Sequence, residues 1–209
     1  MKSHVLTVIA NPKTESASSS LLASTVRAAE AAEATIESHD LYRSGFDPVL
    51  RDEDLPSVLG GGPAAGRIAE EQARIRAADL IVLHYPVYWY QPPAMVKGWV
   101  DRCFGVGFGF SYQDGHTQGL LTGKRVLMVQ TAGAPRVAYD QGDPGKFFDP
   151  DRSPMRASFR FCGMAADVLT HYGVAPEITA QDWESIQSTT VQAVQNALSE
   201  SAWPPRAEP

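Results

Sequence analysis

The stretch that decides the fold is DLIVLHYPVYWYQPPAMVKGWVDRCF, residues 79–104. DLIVLHYP (79–86) is a nearly unbroken apolar run with β-branched members, the pattern of a strand buried on both faces. Pro92 and Pro93 stop it and open a helix, because a helix tolerates proline best at its start. That helix runs to about Phe104, so the segment reads as strand, loop, helix.

The same unit recurs on either side. Upstream, HVLTVIA (4–10) is a second buried strand, followed by the break NPKTESASSS. A helix then begins near Ser18 to Ser20, whose hydroxyls can cap its free N–H groups. ATIESHD (34–40) is a weaker strand, residues 43–66 form a long Pro, Gly and Asp-rich connection, and a helix runs from about Arg67 to Ala78. Downstream, RVLMVQT (125–131) and DVLTHYGV (167–174) are strands, with a helix around Ala157 to Met164 between them. The last helix spans Asp182 to about Ser201. Five strands alternating with five helices specify a parallel sheet covered on both faces. With right-handed crossovers and a short chain, the expectation is a flavodoxin-like three-layer α/β fold, strand order 2-1-3-4-5, as one domain over 1–209.

Composition narrows the function. Hydrophobic residues make up 44% and charged residues 20%, which excludes disordered and fibrous classes. A chain of this length buries roughly 70% of its unfolded surface, so one core suffices. The net charge is −6, with 18 basic residues scattered among 24 acidic ones. Nucleic acid is therefore not an expected partner, since backbone binding needs clustered Lys and Arg. No stretch is long and apolar enough to span a bilayer, and no export signal precedes the first strand, so the cytoplasm is expected. Cys103 and Cys162 sit in apolar helical contexts and read as reduced core thiols. No metal site is expected.

In open parallel sheets, ligands bind beyond the carboxyl ends of the strands where strand order reverses. That singles out the loops after strands one, three and four. Ser16, Ser18, Ser19 and Ser20 lie at a helix N-terminus, where free N–H groups attract a phosphate, and the same serines can simply cap the helix. Gly60, Gly62 and Ala65 formally match a dinucleotide fingerprint, but they follow a polar loop rather than a strand and contain Pro63. After strand three, Tyr85, Tyr88, Trp89, Tyr90 and Trp99 crowd together, more aromatics than a strand end needs for packing. They suit a flat conjugated ligand, or else a local core or dimer contact. After strand four, TAGAPRVAY (131–139) supplies small residues, Gly133 above all, that admit close backbone approach.

YPVYWYQPPAMVKGWVDRCF (85–104), with FCGM (161–164), DLYRSGFDPVL (40–50) and GLLTGKRVLM (119–128) in the same order, resembles the flavodoxin-like NAD(P)H dehydrogenases (quinone) and their bacterial drug-activity-modulator relatives. The resemblance covers nearly the whole chain. It implies a bound flavin, FAD rather than FMN because residues 104–115 resemble the FAD-binding branch, and NAD(P)H as co-substrate. Turnover would be ping-pong, with a quinone as acceptor. It implies that Pro86, Val87, Tyr88, Trp89 and Tyr90 line the isoalloxazine, and that Thr131, Ala132 and Gly133 stand where the family's Thr-Thr-Gly-Gly contacts the ring. The family's phosphate loop begins with His and has an aromatic residue after its Ser. Here Asn11, Pro12, Ser16, Ala17 and Ser18 occupy the corresponding places, so that His and that aromatic are absent. Tyr139 matches the family's catalytic Tyr, but 140–150 contain no His to complete a Tyr-His relay. A homodimer with sites at the subunit boundary is expected. Two rival readings are a non-enzymatic flavin protein, either an electron shuttle or an ancillary transporter subunit, and an enzyme for azo or nitroaromatic compounds.

Overall fold

In the computed structural model, which describes residues 2–140, 154–175 and 177–199, the apolar run at 80–86 is strand β3 (Leu80–Pro86). It pairs in parallel with β1 (His4–Ile9) on one side and with β6 (Arg125–Thr131) on the other. Strand β2 (Thr35–Asp40) and strand β7 (Ala165–His171) form the edges, giving the order β2-β1-β3-β6-β7. Counting only these five, the order is the expected 2-1-3-4-5.

Each crossover is helical. Helix α1 (Ala17–Ala31) follows β1. A 3-10 turn (Asp52–Asp54), the short α2 (Leu55–Val58) and then α3 (Gly66–Ala77) follow β2. After β3 comes α4 (Ala94–Cys103). Between β6 and β7 lie α5 (Arg136–Asp140) and α6 (Pro154–Phe161), and α7 (Ala180–Leu198) closes the described chain. Alternation along β3 sorts the two faces. Leu80 and Val82 join Leu21, Ala29 and Val194 of α1 and α7, whereas Ile81, Leu83 and Tyr85 join Ile75, Trp99 and Phe159 of α3, α4 and α6.

Several boundaries differ from the sequence reading. The first helix begins at Ala17 because Ser16 is its N-cap, accepting from the Ser19 amide at 3.2 Å. The helix before β7 starts three residues earlier than expected and ends at Phe161, and β7 ends at His171 rather than 174. The long connection at 43–66 carries α2, and residues 104–119 carry an unforeseen antiparallel hairpin, β4 (Phe110–Gln113) and β5 (His116–Gly119). Its two turn residues, Asp114 and Gly115, both have positive φ, the demand that an Asp-Gly pair meets well. The Gly60–Ala65 stretch lies between two helices, so it lacks the strand-to-helix context a dinucleotide site needs.

The α3/α4 face holds a buried polar network. Trp99 donates its indole N–H to Glu71 Oε2 at 3.0 Å, while Glu71 Oε1 meets His39 Nε2 at 3.0 Å and Arg74 Nη1 at 3.1 Å. Burial alone pushes the Glu71 carboxyl up, but the bonds from His39 and Trp99, with the His39 and Arg74 charges, bring it below the usual range. Trp99 thus packs edge-on against Phe104 while its one polar atom is satisfied. Gly98 beside it is obligatory for a packing reason, since a Cβ there would lie 2.1 Å from the Pro48 carbonyl oxygen. Both Cys103 and Cys162 are free and buried, as expected.

Candidate functional site

The three loops singled out in the sequence converge at the carboxyl ends of β1, β3 and β6. Backbone bonds tie them together: Ala10 N–H donates to the His84 carbonyl (2.9 Å), Val87 N–H to Thr131 (2.8 Å) and Ala132 N–H to His171 (2.8 Å). The last of these brings in the end of β7 as a fourth wall.

In the first loop, Asn11 is buried and acts as a brace, its Oδ1 accepting from Lys13 N–H (2.9 Å) and its Nδ2 donating to Ser18 Oγ (3.2 Å). Ser16 and Ser19 form a reciprocal capping box. The hydroxyls of Ser16 and Ser18 are therefore engaged in holding the loop. What the loop offers a ligand is backbone: Ala17 and Ser18 begin the helix, where N–H groups have no intrahelical acceptor and the helix dipole is positive.

In the second loop, Tyr88 and Gln91 exchange both backbone hydrogen bonds, Tyr88 N–H to Gln91 O at 2.9 Å and Gln91 N–H to Tyr88 O at 3.0 Å. The two residues enclosed, Trp89 (φ 49°) and Tyr90 (φ 65°), both have positive φ. A two-residue hairpin of this kind is normally built with Asn and Gly. Placing two bulky aromatics there costs on the order of 1–3 kcal/mol each, and such strain clusters at ligand sites. The consequence is that Trp89 stands 92% exposed, with Tyr88 also exposed and Pro86, Val87 and Tyr90 half-buried.

In the third loop, Thr131 and Ala132 are buried, while Gly133 is exposed and a Cβ on it would project into open space. Tyr139, on α5, meets Tyr90 edge-on at 5.7 Å and Tyr172 at 5.3 Å. Arg136 lies 5.0 Å above the Tyr172 ring. Neither Tyr172 nor Arg136 stands out in the sequence: a strand over 167–174 contains Tyr172, whereas β7 ends at His171. Burial, and secondarily the neighbouring Tyr90, raises the Tyr139 phenol above its ordinary value, so at neutral pH it is a hydrogen-bond donor. Of the His-free stretch 140–150, residues 141–150 lie outside the described residues.

Behind the crevice on the α1/α7 side lie two buried imidazoles. His171 Nε2 is 2.8 Å from Thr190 Oγ1, and His84, 1% exposed, has no hydrogen-bond partner for either ring nitrogen among the described residues. Burial, with the His171 charge as a secondary cause, pushes His84 down to about 3, and burial pushes His171 down to about 4. Among the described residues no group of three His, Cys, Asp or Glu is placed to hold a metal ion, and no helix is long and apolar enough to cross a membrane.

Comparison with known proteins agrees with this geometry. The family described as flavodoxin-like fold matches residues 3–196. Human ribosyldihydronicotinamide dehydrogenase (quinone) is 30% identical over 168 residues, 71% of each chain. Among solved structures, a putative quinone reductase from Klebsiella pneumoniae superposes with a TM-score of 0.81 at 22% identity, over 93% of this chain and 85% of that one. An FMN-dependent NADH-azoreductase from Bacillus anthracis, in complex with FMN, does so with 0.73 at 20% identity, over 94% and 100%. The chain belongs to the flavodoxin-like family of NAD(P)H dehydrogenases (quinone) and is an oxidoreductase of that kind.

Proposed function

We propose that the crevice holds a flavin and that the enzyme passes reducing equivalents from NAD(P)H to a quinone or similar aromatic acceptor in a ping-pong cycle. The observation that carries this reading is the strained turn at 88–91, which holds the Trp89 ring out of the core at a conformational cost, as a stacking platform for a flat ligand requires. The donor set fits the rest of a flavin. The Ala17 and Ser18 amides at the helix start suit its phosphate, Pro86 through Tyr90 its ring, and the open backbone at Thr131–Gly133 its polar edge.

Bound there, a flavin supplies two-electron exchange with nicotinamide and quinone. The chain's residues supply the rest. Trp89 and Tyr88 flank the slot, exclude water and orient flat rings, and Tyr139 holds a proton on its Oη that it can share with an acceptor oxygen.

Which flavin binds is open to two readings. The solved azoreductase carries FMN by name, which favours FMN. A cavity of about 730 Å³ beside the same loop, lined by Lys13, Ser16, Ala17, Thr179 and Trp183, favours FAD, since it offers an adenylate room beyond the phosphate. We further infer a cytoplasmic homodimer. The reading rests on an apolar cavity of about 460 Å³ lined by Leu59, Phe104, Phe110 and Phe161, with Leu59 (67%), Tyr112 (66%) and Phe161 (48%) exposed at or near it, a face that a second copy of the chain would cover.

The test is direct. The purified protein should be yellow, release one flavin per chain whose mass identifies it, and oxidise NAD(P)H with a quinone, giving parallel double-reciprocal lines. A colourless protein that gains no flavin from FMN or FAD would sink the reading, and a monomer with full activity at micromolar concentration would remove the dimer.

A further inference from the structure

The loop between β1 and α1 is held from outside by a residue of another crossover. Arg43 lies in the turn after β2, where Asp40 Oδ1 accepts from the Tyr42 amide (2.9 Å) and the Arg43 amide (3.0 Å). Asp40 Oδ2 lies 3.8 Å from Arg43 Nε and aims the guanidinium. From there Nη1 donates to the Asn11 carbonyl at 2.6 Å, and Nη2 donates to the Pro12 carbonyl at 2.9 Å and to Thr14 Oγ1 at 2.6 Å. Three acceptors of the loop, on Asn11, Pro12 and Thr14, are thus held by one planar cation.

The loop needs such help. Pro12 to Glu15 are exposed, so burial contributes little to their order, and fixing each backbone costs roughly 1–2 kcal/mol. Asn11 braces the segment from inside through Lys13 N–H and Ser18 Oγ, but it leaves the carbonyls of Asn11 and Pro12 to be satisfied. Those oxygens carry partial negative charge close to the helix start where a phosphate would bind. Arg43 turns them toward itself and neutralises them.

We propose that Arg43 is a positioning residue for the phosphate loop, fixing residues 11–14 in their binding conformation before a ligand arrives. The inference rests on the crevice being a flavin site. A brace raises apparent affinity by raising the fraction of loops competent to bind, and it does not touch a reacting atom. Its geometry calls for Arg in particular, because lysine's single ammonium cannot reach the same three acceptors with a planar fork.

The experiment uses the full chain with Arg43→Met and Arg43→Lys, and reads amide exchange of the ligand-free protein, FMN affinity by fluorescence quenching, and turnover at saturating FMN. For Arg43→Met, exchange at residues 13–18 should quicken about tenfold or more, FMN affinity should fall roughly tenfold to a hundredfold, and kcat should stay within about twofold. Arg43→Lys should lie between wild type and Arg43→Met in the first two. Unchanged exchange at 13–18 in Arg43→Met would overturn the proposal. So would a rise spread evenly over the sheet, or a fall in kcat that matches the fall in affinity. If the wild-type protein takes up no FMN, FAD replaces it as the probe; if it takes up neither, the flavin reading fails on its own, and the exchange comparison alone judges the brace.

Discussion

The strained turn yields a prediction in which stability and ligand binding move in opposite directions. Trp89 combines positive φ with 92% exposure, so in the ligand-free protein its ring contributes almost no burial while its backbone pays for a left-handed conformation. Asn adopts that conformation more easily, because its short side chain hydrogen-bonds locally. Trp89→Asn should therefore recover up to about 1 kcal/mol of the roughly 1–3 kcal/mol held at this position. For a chain of this size that is a rise in Tm of about 2–4 °C. Trp89→Ala removes the same ring but retains the strain, so its Tm should match wild type. Both variants lose the stacking face. Taking base-on-aromatic stacking as the nearest measured analogue, flavin binding should weaken by about 1–3 kcal/mol, or roughly fivefold to 150-fold. Thermal unfolding of the ligand-free proteins by circular dichroism, paired with flavin titration by fluorescence, reads both quantities. A Tm that falls in Trp89→Asn would mean that the ring packs against the protein, and unchanged flavin affinity in both variants would detach the turn from the ligand.

Three further outcomes follow from the same geometry. Tyr139→Phe should slow quinone reduction by about tenfold or less while leaving flavin reduction by NAD(P)H unchanged, as stopped-flow measurement of the two half-reactions can separate; one hydrogen-bond donor to a developing oxyanion is worth about tenfold to a thousandfold, and residues 140–150 contain no His to strengthen it. His84 and His171 stay neutral in the fold down to about 4 or below but take up protons near 6.5 once unfolded, so stability should fall as pH drops below about 6.5, by about 5 kcal/mol for the pair at pH 4.5. Urea unfolding from pH 7.5 to 4.5 should show this slope, and His84→Leu should flatten it. Glu71→Ala should cost about 3–5 kcal/mol in urea unfolding, because it strands the buried Trp99 indole and the His39 ring, while Arg74 keeps its pair with Glu37.

Local chemistry explains what could be read in advance. Strands β3 and β6 are covered on both faces, so their apolar runs carry the signal undiluted, whereas the serine cluster marks a helix start without singling out Ser16 as its cap. The hairpin at 110–119 carries a weak signal because its strands are four residues long and β5 has no apolar residue, so the alternation of Phe110 and Tyr112 stands alone, yet Asp114-Gly115 is a usable turn signal. Tyr172 stands just beyond β7, which ends at His171 rather than at 174, so the strand-like run DVLTHYGV conceals a residue that packs against Tyr139. The network around Glu71 and the reach of Arg43 to Asn11 join residues about thirty positions apart, and no local pattern encodes such approaches. The same division orders the site itself. Its platform, Tyr88 to Tyr90, is conspicuous in sequence because it is built from residue types that the local turn disfavours. Its outer supports, Arg43 and Asp40, are ordinary polar residues whose role exists only once the crossovers after β1 and β2 lie side by side.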